Sequence, residues 1–367
     1  MVAIVLTKPK SPLGKGPLPV DVVFHPSWWH RAAGIIFDED FFYHPAKRVE
    51  SERLMEQVLH ERFGDCGLGG DHESDRPVIG AVHLAAGYIV SEMLGCEVSY
   101  AADAAPQVHC AQREELSIDP DEASSSPAWK RLENLADSLK KRFGYLSGDI
   151  NWGGILNTAI DLRGQELFLD MTDRPGELKT CFSGIASVIE AFTRRIEAAT
   201  GTSSISVNRN LVNLDAAVFL HSECSHTMIS VADYEDYLLG YDIAWSGSHR
   251  PFGIHFCGKD PHRFADSFAK IPRLDFLDLG WGGDVAALRK SLPDTFFNIR
   301  LDPVQIGAWS TDEIARTIGT LVGESANPWL TGLCCINMDE KVPDEKVRAI
   351  FQAVFELRQR AWRDSAA

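Results

Sequence analysis

From about Gly148 the chain settles into a repeating pattern in which a short apolar run is followed by an amphipathic one. "AAVFLHSE" reads as a strand and "VADYEDYLLGYDIAW" as a helix; "FGIHFCG" is followed by "DPHRFADSFAK", and "LDFLDLG" by "GDVAALRKSL". "TFFNIRLDP" precedes "STDEIARTIGTLVGE", and "LTGLCCIN" precedes "VPDEKVRAIFQAVFELRQRA". The runs are too short and too continuously apolar for surface strands, and the segments between them carry helical spacing. Ahead of them, "RPGELKTCFSGIASVIEAFTRRIEAAT" predicts one long helix with Pro at its start. Five successive strand–helix units predict a parallel sheet with helical crossovers, and their number favours a (β/α)8 TIM barrel over a dinucleotide fold. No G-x-G-x-x-G follows any of these strands.

The first third is less regular. It holds a Pro-rich arm (Lys8–Pro19), the aromatic stretch "HPSWWHRAAGIIFDEDFFYHP", a helical pattern over Ala46–Phe63 and a polar stretch, "DPDEASSSPAW", that reads as a loop. Residues 1–115 are assigned to an irregular, partly helical N-terminal extension with the first barrel elements, and 116–367 to the rest of the barrel, within one α/β domain. Trp28, Trp29, Phe37, Phe41, Phe42 and Tyr43 either cover the barrel mouth or form a plain hydrophobic lobe; the lobe needs fewer assumptions.

Composition narrows the function. The chain has 367 residues, 45% of them hydrophobic, which is ample for a large core. A net charge of -16 leaves no excess of cations for phosphates and argues against a nucleic-acid partner. No apolar run is long enough for a membrane span, and the basic residues follow the first apolar run, the wrong order for a secretory signal. The eight cysteines show no Cys-x-x-Cys and no framework spacing, so a cytoplasmic location with reduced thiols is expected.

In a parallel barrel the carboxyl ends of the strands share the functional face. Here those ends carry Glu223, with His221 and His226 nearby, then His255 and Cys257, Asp278, Asp302, and Cys334 with Cys335. Residues i and i+2 of a strand share a side, so His255 and Cys257 can hold one ion. A third donor from the Cys334/Cys335 strand would meet them across the mouth. Neighbouring strand residues face opposite ways, so only one of the doublet can serve. One imidazole and two thiolates make a zinc set with an open fourth position.

"FGIHFCG" resembles the H-x-C-G strand of the uroporphyrinogen decarboxylase superfamily, and within it the zinc-dependent methylcobalamin:coenzyme M methyltransferases and related corrinoid methyltransferases. These carry a further Cys downstream; here 77 residues separate Cys257 from Cys335 and 76 separate it from Cys334. "DLRGQELFLDMTDRPGEL", "MISVADYEDYLLGY" and "VPDEKVRAIFQAV" are similar to stretches of the same family, and cobalamin-independent methionine synthase shares the ligand logic. The resemblance implies zinc held by His255, Cys257 and Cys335, with Cys334 as the alternative and Glu223 as candidate fourth ligand and catalytic group. Asp278, Asp302, Trp29 and Arg31 are the expected substrate-binding residues. The implied activity is zinc-dependent movement of a methyl group between a small methylated substrate or thiol and a corrinoid (cobalamin) carrier. That carrier would be a separate corrinoid protein, because this chain is too short to hold a cobalamin domain as well; a homodimer is left open. The decarboxylase branch is the rival, and its N-terminal R-Q-A-G-R is met only by "RAAGI" (Arg31–Ile35). A non-catalytic small-molecule-binding member of the fold is the third reading.

Overall fold

The structure, a computed structural model, describes residues 16–70, 75–80, 87–202, 217–249 and 251–366. Six parallel strands form one curled sheet: β1 (Val20–Phe24), β4 (Phe219–Ser222), β5 (Phe252–Phe256), β6 (Phe276–Leu279), β7 (Phe296–Leu301) and β8 (Thr331–Met338). Between β1 and β4 in sequence lies a separate antiparallel hairpin of β2 (Glu97–Ala101) and β3 (Ala104–His109). The sheet order is β1-β8-β7-β6-β5-β4. All six sheet strands are almost wholly buried, as parallel strands covered on both faces must be.

The expected eight strands are thus six among the described residues. Where two more would stand, between β1 and β4, the chain runs through the Gly- and Pro-bearing segments 75–80 and 145–154. These form a single parallel bridge, Val78 to Ser147, and Gly154 N–H donates to Ser222 O at 2.7 Å. Glycine and proline weaken strand pairing, and beyond that bridge these described segments build no ladder.

Most predicted helices are present, the long one as Pro175–Thr200, the early one as Pro45–Phe63 and the last as Asp344–Ala366. Two readings change. "VADYEDYLLGYDIAW" forms two helices, Val231–Tyr237 and Leu239–Ser248. The polar stretch read as a loop is helical: Asp119 caps Pro120–Ser124 and Ser126 caps Pro127–Phe143, each cap followed by Pro at the first helical position. A side-chain acceptor followed by a residue with a preset φ starts a helix whatever the polarity that follows. Of the Pro-rich arm, residues 8–15 lie outside the described residues. No described helix is long and apolar enough to cross a membrane.

The N-terminal aromatics make a packed lobe. Trp28 stacks on Phe24 at 4.0 Å between ring centroids, Trp29 meets Trp28 edge-on at 4.8 Å, and Phe37, Phe41 and Phe42 are buried with them. None of the six lines the cavity at the strand ends.

Candidate metal centre

The register of β5, β6 and β7 builds the site. His255 pairs with Asp278, and Asp278 with Asn298, so three polar side chains stand in one row on the concave face. His255 Nδ1 lies 2.5 Å from Asp278 Oδ2, and Asn298 Nδ2 donates to Asp278 Oδ1 at 2.9 Å. Both carboxylate oxygens are therefore used to orient the imidazole. Two residues further along come Cys257 on the β5 side and Arg300 on β7, with Gly280 between them. Arg300 Nη1 donates to Cys257 Sγ at 3.2 Å, and Nε is 3.7 Å from Asp278 Oδ2. A Cβ on Gly280 would lie 1.9 Å from Gly258 O and 2.5 Å from Cys257 O, so this crossing of backbones requires glycine.

The third donor is one the sequence reading missed. Cys224 opens a 3-10 turn, Cys224–Met228, directly after β4. The turn folds its sulfur back over β5, 3.0 Å from Cys257 Sγ and 3.5 Å from His255 Nε2, while His255 Nε2 is 2.6 Å from Cys257 Sγ. Cys224, His255 and Cys257 form the one group among the described residues that can offer three metal donors within 4.8 Å of one another. His255 is buried, Cys257 half-buried and Cys224 exposed. The Cys257 thiol is held well below its ordinary range, first by the hydrogen bond from Cys224 and then, against burial, by His255 and Arg300. Cys224 is correspondingly pushed up by the bond to Cys257.

The Cys334–Cys335 doublet takes the opposite parity from that expected. Cys335 packs on the convex side with Leu301, Ile306 and Met338, its Sγ 3.8 Å from Leu301 O. Cys334 is the concave member, packed with Val23 and Ile336 and accepting from Asn298 Nδ2 at 3.4 Å. Neither sulfur joins the three-donor group. The alternation was legible; which member falls inside is decided by the register of Cys334 with Arg300 and of Cys335 with Leu301.

Glu223, the candidate fourth ligand, is turned the other way. Its carboxylate accepts from Leu156 N–H at 2.7 Å and Asn157 N–H at 3.3 Å, at the start of the helix Ile155–Arg163, and it lies 3.1 Å from His221 Nε2. A carboxylate at a helix N-terminus is stabilised there by the unpaired N–H groups and the dipole. His221 Nδ1 faces Asp242 at 2.7 Å, and Tyr234 donates to the other Asp242 oxygen at 2.7 Å. Asn157 completes the clamp: its Nδ2 donates to Ser222 O at 2.8 Å and its Oδ1 accepts from Ser225 N–H at 2.9 Å, one residue either side of Glu223–Cys224. His226, close by, is fully buried among Tyr234, Phe256 and Phe264, and burial lowers its pKa to about 4.

The remaining predicted site residues divide. Asp278 sits at the centre as the orienter of His255. Asp302 caps the short helix Pro303–Ala308 by accepting from Val304 N–H at 2.9 Å. Trp29 is core, and Arg31 is an exposed side chain whose Nη1 donates to Glu340 O.

The cluster opens into a cavity of about 300 Å³ lined by Trp152, Asn157, Cys224, Cys257, Trp281, Arg300, Ile336 and Asn337, among others. Asn337 holds φ 64, a left-handed conformation that Asn tolerates better than most residues.

No protein-family profile matches the chain, and no curated protein matches it in sequence. Solved structures do match in fold. A methyltransferase from Methanosarcina mazei superposes with TM-score 0.60 at 13% identity, covering 93% of this chain and 94% of the other. A B12-independent methionine synthase from Shewanella sp. W3-18-1, solved with selenomethionine, gives TM-score 0.51 at 12% identity, covering 95% and 99%. At such identities the likeness is one of fold.

Proposed function

We propose that this chain is a zinc-dependent methyltransferase of the (β/α)8 class that moves a methyl group between a small thiol or methylated substrate and a corrinoid carrier on a partner protein. The observation that carries the reading is the convergence of Cys224, His255 and Cys257 at the mouth of a small-molecule-sized cavity. Support for methyl transfer comes from the two neighbours in fold, one a methyltransferase and the other a B12-independent methionine synthase. Support for the corrinoid carrier is the resemblance of the "FGIHFCG" strand.

The donor set fits zinc. Two sulfurs and one imidazole nitrogen converge from adjoining backbone, the far ring nitrogen is fixed by a carboxylate, and three protein donors leave a fourth place for a ligand. A zinc ion held there would supply a Lewis acid that keeps a substrate sulfur deprotonated at neutral pH. The residues of the chain do the rest. Asp278 fixes which nitrogen of His255 faces the donors. Arg300 donates to Cys257 and helps hold it as thiolate. Trp152 and Trp281 wall the cavity with apolar surface, and the Glu223 clamp sets the position of Cys224.

The decarboxylase alternative draws no comparable support. Arg31 lies on the surface, and among the described residues lining the cavity Arg300 is the single cation, too few for a porphyrin bearing several carboxylates. The test is direct. Metal analysis should find about one zinc per chain, and the loaded protein with methylcobalamin and a panel of small thiols should yield a methyl thioether by mass spectrometry. The reverse direction is probed with cob(I)alamin and methylated substrates. Loaded protein that transfers no methyl group in either direction overturns the proposal.

A further inference from the structure

Arg300 has more hydrogen-bonding capacity than its neighbours use. Its side chain is 6% exposed and lines the cavity. One terminal nitrogen donates to Cys257 Sγ, Nε stands 3.7 Å from an Asp278 oxygen already facing His255, and Nη2 has no hydrogen-bond partner among the described residues. Two anions stand beside it, Cys257 at Nη1 and Asp278 near Nε, and neither is hydrogen-bonded to Nη2. A buried guanidinium with a spare donor is costly unless something pairs with it. The walls beside it, Trp152, Trp281, Ile336 and Asn337, carry no charge that could do so.

We propose that Arg300 is a specificity-determining residue that binds the anionic end of the substrate, so that the small molecule taken by this cavity is a monoanion, a carboxylate whose sulfur lies toward Cys224 and Cys257. This rests on the thiol-handling reading above for the sulfur, but not for the anion. A single cation suits one negative charge, and a guanidinium fork suits a planar carboxylate. A cavity of about 300 Å³ admits a chain of a few carbons between the two ends.

The experiment measures binding by calorimetry, with zinc-loaded protein, of 3-mercaptopropionate, 2-mercaptoethanol and 3-(methylthio)propionate. The wild type should prefer 3-mercaptopropionate over 2-mercaptoethanol by about tenfold to a hundredfold, the range a charge-assisted hydrogen bond supplies. Arg300→Gln should erase that preference, and Arg300→Lys, which keeps the charge but not the fork, should keep part of it. 3-(Methylthio)propionate, which has no free thiol, separates the two ideas. If it binds in an Arg300-dependent way while no thiol is preferred over it, the anion site stands and the thiol reading falls. If the wild type binds the acid and the alcohol equally, or Arg300→Gln keeps the preference while staying folded and metal-loaded, the proposal is overturned.

Discussion

Replacing Asp242 by Asn should make the stability of this protein less dependent on pH. His221 is fully buried, which alone would favour the neutral ring, yet Asp242 at 2.7 Å and Glu223 at 3.1 Å raise its pKa to about 9. A group whose folded pKa exceeds its unfolded one stabilises the fold fully below the unfolded value, near 6.5, and loses that contribution as pH rises through the folded value. The gap between 6.5 and about 9 corresponds to ~3 kcal/mol, present at pH 6 and nearly gone at pH 9. The amide of the Asp242→Asn variant would keep the shape and one acceptor but not the charge, leaving Glu223 as the remaining anion beside the ring. The variant should therefore lose more stability at pH 6 than at pH 9, with a difference of about 1–2 kcal/mol because Glu223 still holds part of the effect. Urea denaturation of both proteins at both pH values measures it, and titrations common to the two cancel in the comparison. An Asp242→Asn loss that is equal at pH 6 and pH 9 would refute the assignment of His221 as a buried cation.

Four further outcomes follow from the site. Cys224→Ser, His255→Gln and Cys257→Ser should each lose most bound zinc in metal analysis, whereas Cys335→Ala should keep it and cost only ~1 kcal/mol of packing. Asp278→Asn, by loosening His255, should weaken zinc binding by about 10–100-fold in a chelator competition; unchanged affinity would mean the carboxylate serves the fold alone. Gly154→Ala places a Cβ 2.5 Å from the Glu223 carboxylate and 2.7 Å from Ser222 O, and should cost about 1–3 kcal/mol in denaturation while also lowering zinc affinity through Cys224. Gly280→Ala should be at least as damaging, because the atoms it meets are backbone.

Much of this was legible in the sequence because parallel strands are buried on both faces and announce themselves as short continuous apolar runs. The His255–Cys257 pair was legible for the same reason: a period of two places both on one side of β5. Cys224 was not, because it lies beyond the end of β4 in a 3-10 turn, where strand parity no longer applies and only the Asn157–Glu223 clamp determines where the sulfur goes. Glu223 was read from its place at a strand end, but its direction depends on the N-terminus of Ile155–Arg163, a helix distant in sequence. The doublet illustrates a related limit. Alternation says that one cysteine faces in, and only pairing with β7 says which. The three strands expected before β4 were inferred from a count; β1 is one of them, and among the described residues the glycine-bearing segments after it make one bridge instead of a ladder.

The donors and their supports come from one contiguous flank of the sheet, from β4 through β7, whereas the far wall of the cavity is supplied by the end of β8 through Ile336 and Asn337. The hydrogen bonds that orient His255 and place Cys224 run within that flank and to the helix Ile155–Arg163 beside it. The reaction centre, with Arg300 inside it, and the shape of the opposite wall are therefore separable in this architecture. Exchange of side chains on the β8 wall can reshape what enters while the reactive flank stays intact, which gives an evolving lineage, or a protein engineer, a place to change selectivity without rebuilding the reaction centre.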